Sequence, residues 1–178
     1  MKLGLKKNEV KIVDYTPEWA AEFIRVQEEL IENTGLDENR IEHIGSTAIK
    51  GMAAKPILDL IIGVDVLNQV DRELLQAFQQ TGFLRLKVER PGEMVLAKFT
   101  DDSYQEKTHF IHLVEYRGDL WNDLIYFRDY LNSNVEARTQ YLQVKLAYLE
   151  KAAAGMKEYT DHKEAFVKGI IAKRTESF

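Results

Sequence analysis

The 178-residue sequence predicts an α+β fold, a mixed β-sheet flanked by helices with a helical C-terminal part. Three observations predict it. Strand and helix patterns alternate from Val10 to about Gly82, and two strand patterns, Phe83 to Val88 and Met94 to Thr100, flank the turn signal Pro91-Gly92. From Leu120 onward, apolar residues recur at helical spacing almost to the end. The length sets the expectation of a single domain over 1–178, with the sheet in about 1–118 and the helical part in about 119–178.

Val10 to Tyr15 alternates loosely and reads as an edge strand. Thr16-Pro17-Glu18 then starts a helix, with Thr16 as N-cap and Pro17 at the first helical position, where a missing N–H costs nothing. Trp19, Phe23, Val26 and Leu30 share one face of that helix and read as core, and Gly35 is placed to end it. A short strand, Arg40 to Ile44, leads into the turn Gly45-Ser46. After the breaker Pro56 comes the apolar run Ile57 to Ile62, interrupted by Asp59. Gly63 to Asp65 turns the chain into a second helix, in which Val70, Leu74 and Phe78 line up and which Gly82 stops. The hairpin that follows has its loop at Glu89 to Glu93, longer than the tight type.

In the strand Lys107 to Tyr116, alternation puts His109, Ile111, Leu113 and Glu115 on one side and Phe110, His112, Val114 and Tyr116 on the other. The two histidines therefore cannot aim at one point. Beyond it, Leu124, Phe127, Tyr130 and Leu131 form a helical stripe that Tyr141, Val144, Tyr148 and Leu149 continue. Gly155 interrupts, and a last helix from about Asp161 carries Phe166, Val167, Ile170 and Ile171.

Composition narrows the function classes. There is no cysteine, hence no disulfide, thiolate metal site or cysteine nucleophile. A formal charge of −5 gives no basic footprint for duplex nucleic acid. A small anionic substrate remains open if a metal ion supplies positive charge. No window approaches the length of a membrane span and the N-terminus carries no signal-peptide core, so no membrane partner and a cytoplasmic location are expected. Nothing in the sequence sets an oligomeric state.

Chemistry concentrates between Ile41 and Ile62. A carboxylate in an apolar strand is expensive to bury unless something binds it. Asp59 is either a structural group hydrogen-bonded to a neighbouring loop, or part of a metal or proton site beside a phosphate-sized turn. His109 and His112 carry the same two readings, a satisfied strand histidine or a functional group. Arg128, Arg138 and Lys145 are helix cations that could close over a phosphate or simply pair on a surface.

The runs EHIGSTAIKGMAAKPILDL, KTHFIHLVE and YFRDYL, then Tyr141, Lys145 and Leu146, then YTDHKEAFVKGII, resemble in order the GrpB-like family of small bacterial proteins, placed in the nucleotidyltransferase-fold superfamily. The resemblance implies a nucleotidyltransferase-like sheet with flanking helices. In that superfamily a Gly-Ser turn holds the nucleotide triphosphate, and two carboxylates two residues apart on the next strand bind divalent metal, with a third on a later strand. Gly45 and Ser46 match the turn and Asp59 the first carboxylate. The second position is Ile61, and the later strand offers His112, or less directly His109 and Glu115. Ile49-Lys50-Gly51 stands where relatives usually have Val-Pro-Gly, which puts an extra cation near the turn. Phe110 stands where many have a further histidine.

Two functions follow as expectations. One is a metal-dependent nucleotidyl or phosphoryl transferase using a small-molecule nucleotide, in which Gly45, Ser46 and Thr47 cradle phosphate, Asp59 and His112 hold Mg²⁺ or Mn²⁺ and act catalytically, and Lys55, Arg128 and Lys145 contact phosphate. One Asp and one His are a thin set for two hard ions. The alternative is a non-catalytic nucleotide- or coenzyme A-related binding module, since family relatives occur as a C-terminal extension of dephospho-CoA kinase and have been described as a folding accessory domain. The Walker-type GxxxxGK[ST] sequence is absent.

Overall fold

The computed structural model describes residues 1–7, 9–150 and 156–176. A short strand β1 (Leu5–Lys6) precedes helix α1 (Glu18–Thr34), then come β2 (Ile41–Ile44), β3 (Leu58–Val64), α2 (Arg72–Gln80), β4 (Phe83–Arg90), β5 (Glu93–Phe99) and β6 (Glu106–Glu115). Three helices follow, α3 (Asp119–Ser133), α4 (Val135–Glu150) and α5 (Met156–Glu176). The sheet is mixed, in the order β2-β3-β6-β5-β4. β3 and β6 run parallel, and the other neighbours are antiparallel. β1 pairs with the start of β6, Leu5 opposite Lys107, on the side that β5 does not occupy.

Local chemistry explains the boundaries. Thr16 Oγ1 accepts from the Glu18 amide at 3.3 Å, which caps α1 as expected. Gly35, at φ 69°, ends the helix with its N–H on Ile31 O. Asp71 caps α2, accepting from the Leu74 amide at 2.8 Å, so Val70 lies before the helix. β3 runs through Gly63 to Val64, where a turn was expected. The hairpin is tighter than expected, because β4 and β5 pair up to Arg90 opposite Glu93, leaving only Pro91-Gly92 with Gly92 at φ 74°.

Val10 to Tyr15 makes no strand. Only Val13 pairs, with Ala54, and the next hydrogen-bonded position would fall on Pro56, which has no N–H to give. The last helix begins at Met156, before the expected Asp161, while Gly155 lies outside the described residues.

Strand alternation divides the sheet into two faces. Leu58, Leu60 and Ile62 of β3, with Ile111 and Leu113 of β6, pack under α1 and α2 against Trp19, Leu30 and Phe78. The opposite face carries Asp59, Ile61, Phe110, His112 and Val114. Ile61 and Val114 meet Trp121 of α3 there, and the C-terminal helices form a further cluster with Ile49 and Met52 from the chain after the Gly-Ser turn. The helical part is thus fastened beside that turn, and α4 and α5 overhang the polar end of the face.

Candidate functional site

The antiparallel pair β2–β3 sets Ile44 opposite Asp59, so the residue after β2, Gly45, lies against the Asp59 carboxylate. Gly45 has φ 72° and ψ −172°, a region that costs other residues strain, and a Cβ there would stand 2.7 Å from Asp59 Oδ2. Ser46–Ala48 forms one 3₁₀ turn. Ser46 Oγ reaches Tyr141 Oη of α4 at 3.4 Å. Thr47 Oγ1 is 2.8 Å from His43 Nε2, both side chains are buried, and the His43 ring stacks on Phe23. Burial pushes the His43 pKa down to about 4, so this ring is a neutral brace for the turn.

β6 places His112 between two carboxylates. Its Nε2 is 3.5 Å from Asp59 Oδ1, and its Nδ1 is 2.8 Å from Glu93 Oε2 at the start of β5. Arg90 Nη1 completes the chain on Glu93 Oε1 at 3.1 Å. Burial alone would lower the His112 pKa, but hydrogen bonds and charge from Asp59 and Glu93 outweigh it and push it up to about 9. Burial raises Asp59 and Glu93 in turn, and the imidazolium holds both below the usual carboxylate range. The group is therefore an ion row, carboxylate, imidazolium, carboxylate, guanidinium.

Asp59 and His112 open into a cavity of about 450 Å³. Seven basic side chains line it against two carboxylates, Asp59 and Glu9. Lys55 precedes β3, Lys145 comes from α4, Lys163 from α5, Lys107 from β6 and Arg90 from β4, while Lys6 and Lys7 come from β1 and the residue after it. Phe110, Val95, Ile57 and Leu5 supply apolar surface. Lys145 donates to Ala53 O at 2.5 Å and lies 4.8 Å from the Tyr141 ring centroid. Burial, reinforced by Lys163, pushes its pKa down to about 7. Burial and Lys163 lower Lys55 as well, with Asp59 acting the other way. Crowded cations with a flat apolar wall suit a ligand carrying several negative charges.

Of the eight residues given roles in the expected transferase site, six, Ser46, Thr47, Lys55, Asp59, His112 and Lys145, line this cavity, and Gly45 shapes its wall. Arg128 does not. Its Nη1 donates to Glu42 Oε2 at 2.6 Å and to His43 O at 2.9 Å, and its Nε to Asp129 at 2.8 Å. These bonds consume the guanidinium in docking α3 on β2. Thr47 turns its hydroxyl to His43, which makes it a positioning residue. Lys50 is exposed and outside the lining, and His109 faces α1, 3.4 Å from Glu22. Sequence reasoning missed Glu93, His43, Lys163, Lys6 of β1 and Lys7 just after it. A hairpin turn of two residues would have placed Glu93 in register with the His112 face, since Val95 pairs with His112.

The fold family implies a divalent metal, and the donor set at Asp59 does not fit one. Hard dications take several oxygen ligands. Ile61, at the second carboxylate position, is fully buried hydrocarbon, and both ring nitrogens of His112 already face carboxylates. Among the described residues no group of three or more His, Cys, Asp or Glu side chains converges as a metal site. Nor is any described helix long and apolar enough to cross a membrane.

Residues 9–173 match the family described as "GrpB protein". The Glutamate-rich protein GrpB of Alkalihalophilus pseudofirmus is 39% identical over 170 residues, covering 95% of this chain and 98% of that one. A dephospho-CoA kinase of Mycolicibacterium paratuberculosis is 28% identical over 180 residues, covering 87% of this chain but 43% of the kinase. Among solved structures, conserved protein GrpB from Enterococcus faecalis superposes with a TM-score of 0.77 at 27% identity, over 94% of this chain and 98% of that one. The Cid1 poly(U) polymerase bound to Mg 3'-dATP gives a TM-score of 0.50 at 13% identity, over 75% of this chain and 42% of the polymerase, a likeness in fold.

Proposed function

The chain belongs to the GrpB family and has a nucleotidyltransferase-like fold, and from its site we propose that it binds a nucleotide or related polyphosphorylated small molecule in the lysine-lined cavity without a required metal ion. The carrying observation is the placement of His112 between Asp59 and Glu93. A fixed imidazolium stands on the later strand, at the position where the resemblance puts the third metal-binding carboxylate of a transferase. Lys55, Lys145 and Lys163 supply the charge that the metal would otherwise bring to phosphate. Coenzyme A is a second ligand to test, because a dephospho-CoA kinase carries a similar stretch within its own length.

One observation favours the transferase reading, the Gly45 turn lying directly on Asp59. Calorimetric and thermal-shift titration with ATP, GTP, CTP, UTP and coenzyme A, in EDTA and in Mn²⁺, separates the two. Binding that persists in EDTA and is lost in Lys55→Ala is the expected result, with about 2.7 kcal/mol of added stability at a hundredfold excess over Kd. A shift that requires both Mn²⁺ and an intact Asp59 would replace this reading with the metal-dependent transferase.

A further inference from the structure

The cavity has a wall that the family match does not include. The matched residues begin at 9, whereas Leu5, Lys6 and Lys7 precede them and line the cavity. This strap is held by few bonds. Gly4 N donates to Pro56 O at 2.8 Å, Leu5 is the buried anchor at 4% exposure, and pairing with β6 is limited to Leu5 opposite Lys107 and Lys6 opposite Glu106. Lys6 and Lys7 are exposed, and among the described residues no carboxylate forms an ion pair with the ammonium groups of Lys6, Lys7 or Lys107, while Glu9 Oε2 accepts from the Lys6 backbone amide at 3.1 Å. Lys107 stands near two aromatic rings instead, 5.8 Å from the Phe110 centroid and 5.9 Å from that of Phe99.

Position along β6 gives this cluster its meaning. Phe110 is the neighbour of Asp59 on β3, and Lys107, three residues earlier, is the neighbour of Leu5. At the rise of an extended chain that is about 10 Å. Cations therefore meet the cavity both toward the Gly45 turn and at the strap, on backbone positions separated by about three residues of β6. Resting on the reading above, we propose that Lys6 and Lys7 are ligand-binding residues, and that with Lys107 they form a second anion subsite that makes the cavity select ligands bearing several linked phosphates over those bearing one.

The test uses the whole chain in EDTA, titrated calorimetrically with inorganic triphosphate and with inorganic phosphate. The Lys6→Ala/Lys7→Ala variant should lose about tenfold in triphosphate affinity and less than about twofold for phosphate, and the Lys6→Arg/Lys7→Arg variant should restore triphosphate binding. Triphosphate should also slow amide exchange at Leu5 and Lys6, a response a merely structural strap would not give. If the double alanine variant binds triphosphate like wild type while Lys55→Ala does not, the strap proposal falls and the cavity reading stands. If wild type binds no phosphate probe, both fall. The substituted side chains are exposed, so an unchanged melting temperature excludes misfolding as the cause.

Discussion

A histidine between two carboxylates carries its charge into the folded state and ties stability to pH. His112 has an ordinary value of 6.5 and is raised to about 9 in the fold. Its stabilisation is therefore fully present below 6.5 and is lost as pH rises through 9. The difference amounts to about 3 kcal/mol. Lys145 titrates in an overlapping range with the opposite sign, because its buried charge penalises the fold most below about 7 and progressively less above it. The wild-type profile mixes the two, so the comparison to make is with His112→Gln. Urea unfolding of both proteins from pH 6 to 9.5 should show wild type more stable at pH 6, with the gap narrowing by about 3 kcal/mol at the alkaline end. A constant gap would mean that His112 is neutral in the fold and that the ion row is misassigned.

At the scale of elements, Arg128 shows how the same residue type can serve the scaffold instead of the ligand. Its bonds to Glu42 and to the His43 carbonyl fix α3 on β2, and the side chain is mostly buried. Arg128→Ala should lower stability by about 1–3 kcal/mol by leaving that carbonyl and Glu42 without their donor, yet leave triphosphate affinity within about twofold of wild type. A large loss of affinity at unchanged stability would return Arg128 to the ligand. Nothing in YFRDYL distinguishes these roles, because the partner Glu42 lies 86 residues away. What was legible followed from local rules. The Thr16 cap, Gly35, Gly82, and the assignment of His109 and His112 to opposite faces all depend on neighbouring residues. What was hidden depended on pairing. β1 is two residues long, too short for any periodic signal, and VKIVDY has the pattern of a strand but meets Pro56 where a donor is needed. The site was half legible for the same reason. Asp59 stood out as a charge in an apolar run, whereas its seven cationic neighbours are spread from Lys6 to Lys163 and meet only in the fold.

For the whole molecule, charge is segregated by sign. The chain carries −5 overall, yet its cavity gathers seven basic side chains. The far field repels an anion and the near field attracts it, so capture depends on short-range contacts with desolvated lysines. Lys145 makes that capture proton-linked. With its pKa near 7, it is largely neutral at pH 8 and charged at pH 6. An arriving polyanion favours the charged form, so binding at pH 8 must take up a proton, while binding at pH 6 finds the proton already in place. Triphosphate titrated at each pH in buffers of different ionisation enthalpy reads this directly. The observed enthalpy should depend on the buffer at pH 8, and that dependence should shrink in Lys145→Met, a substitution that keeps the buried volume and cannot hold a proton. Affinity should fall as pH rises from 7 to 9 in wild type and vary less in the variant. Were the buffer dependence the same in both proteins, the proton would belong to another group and Lys145 would be a wall of the cavity, not one of its contacts with phosphate.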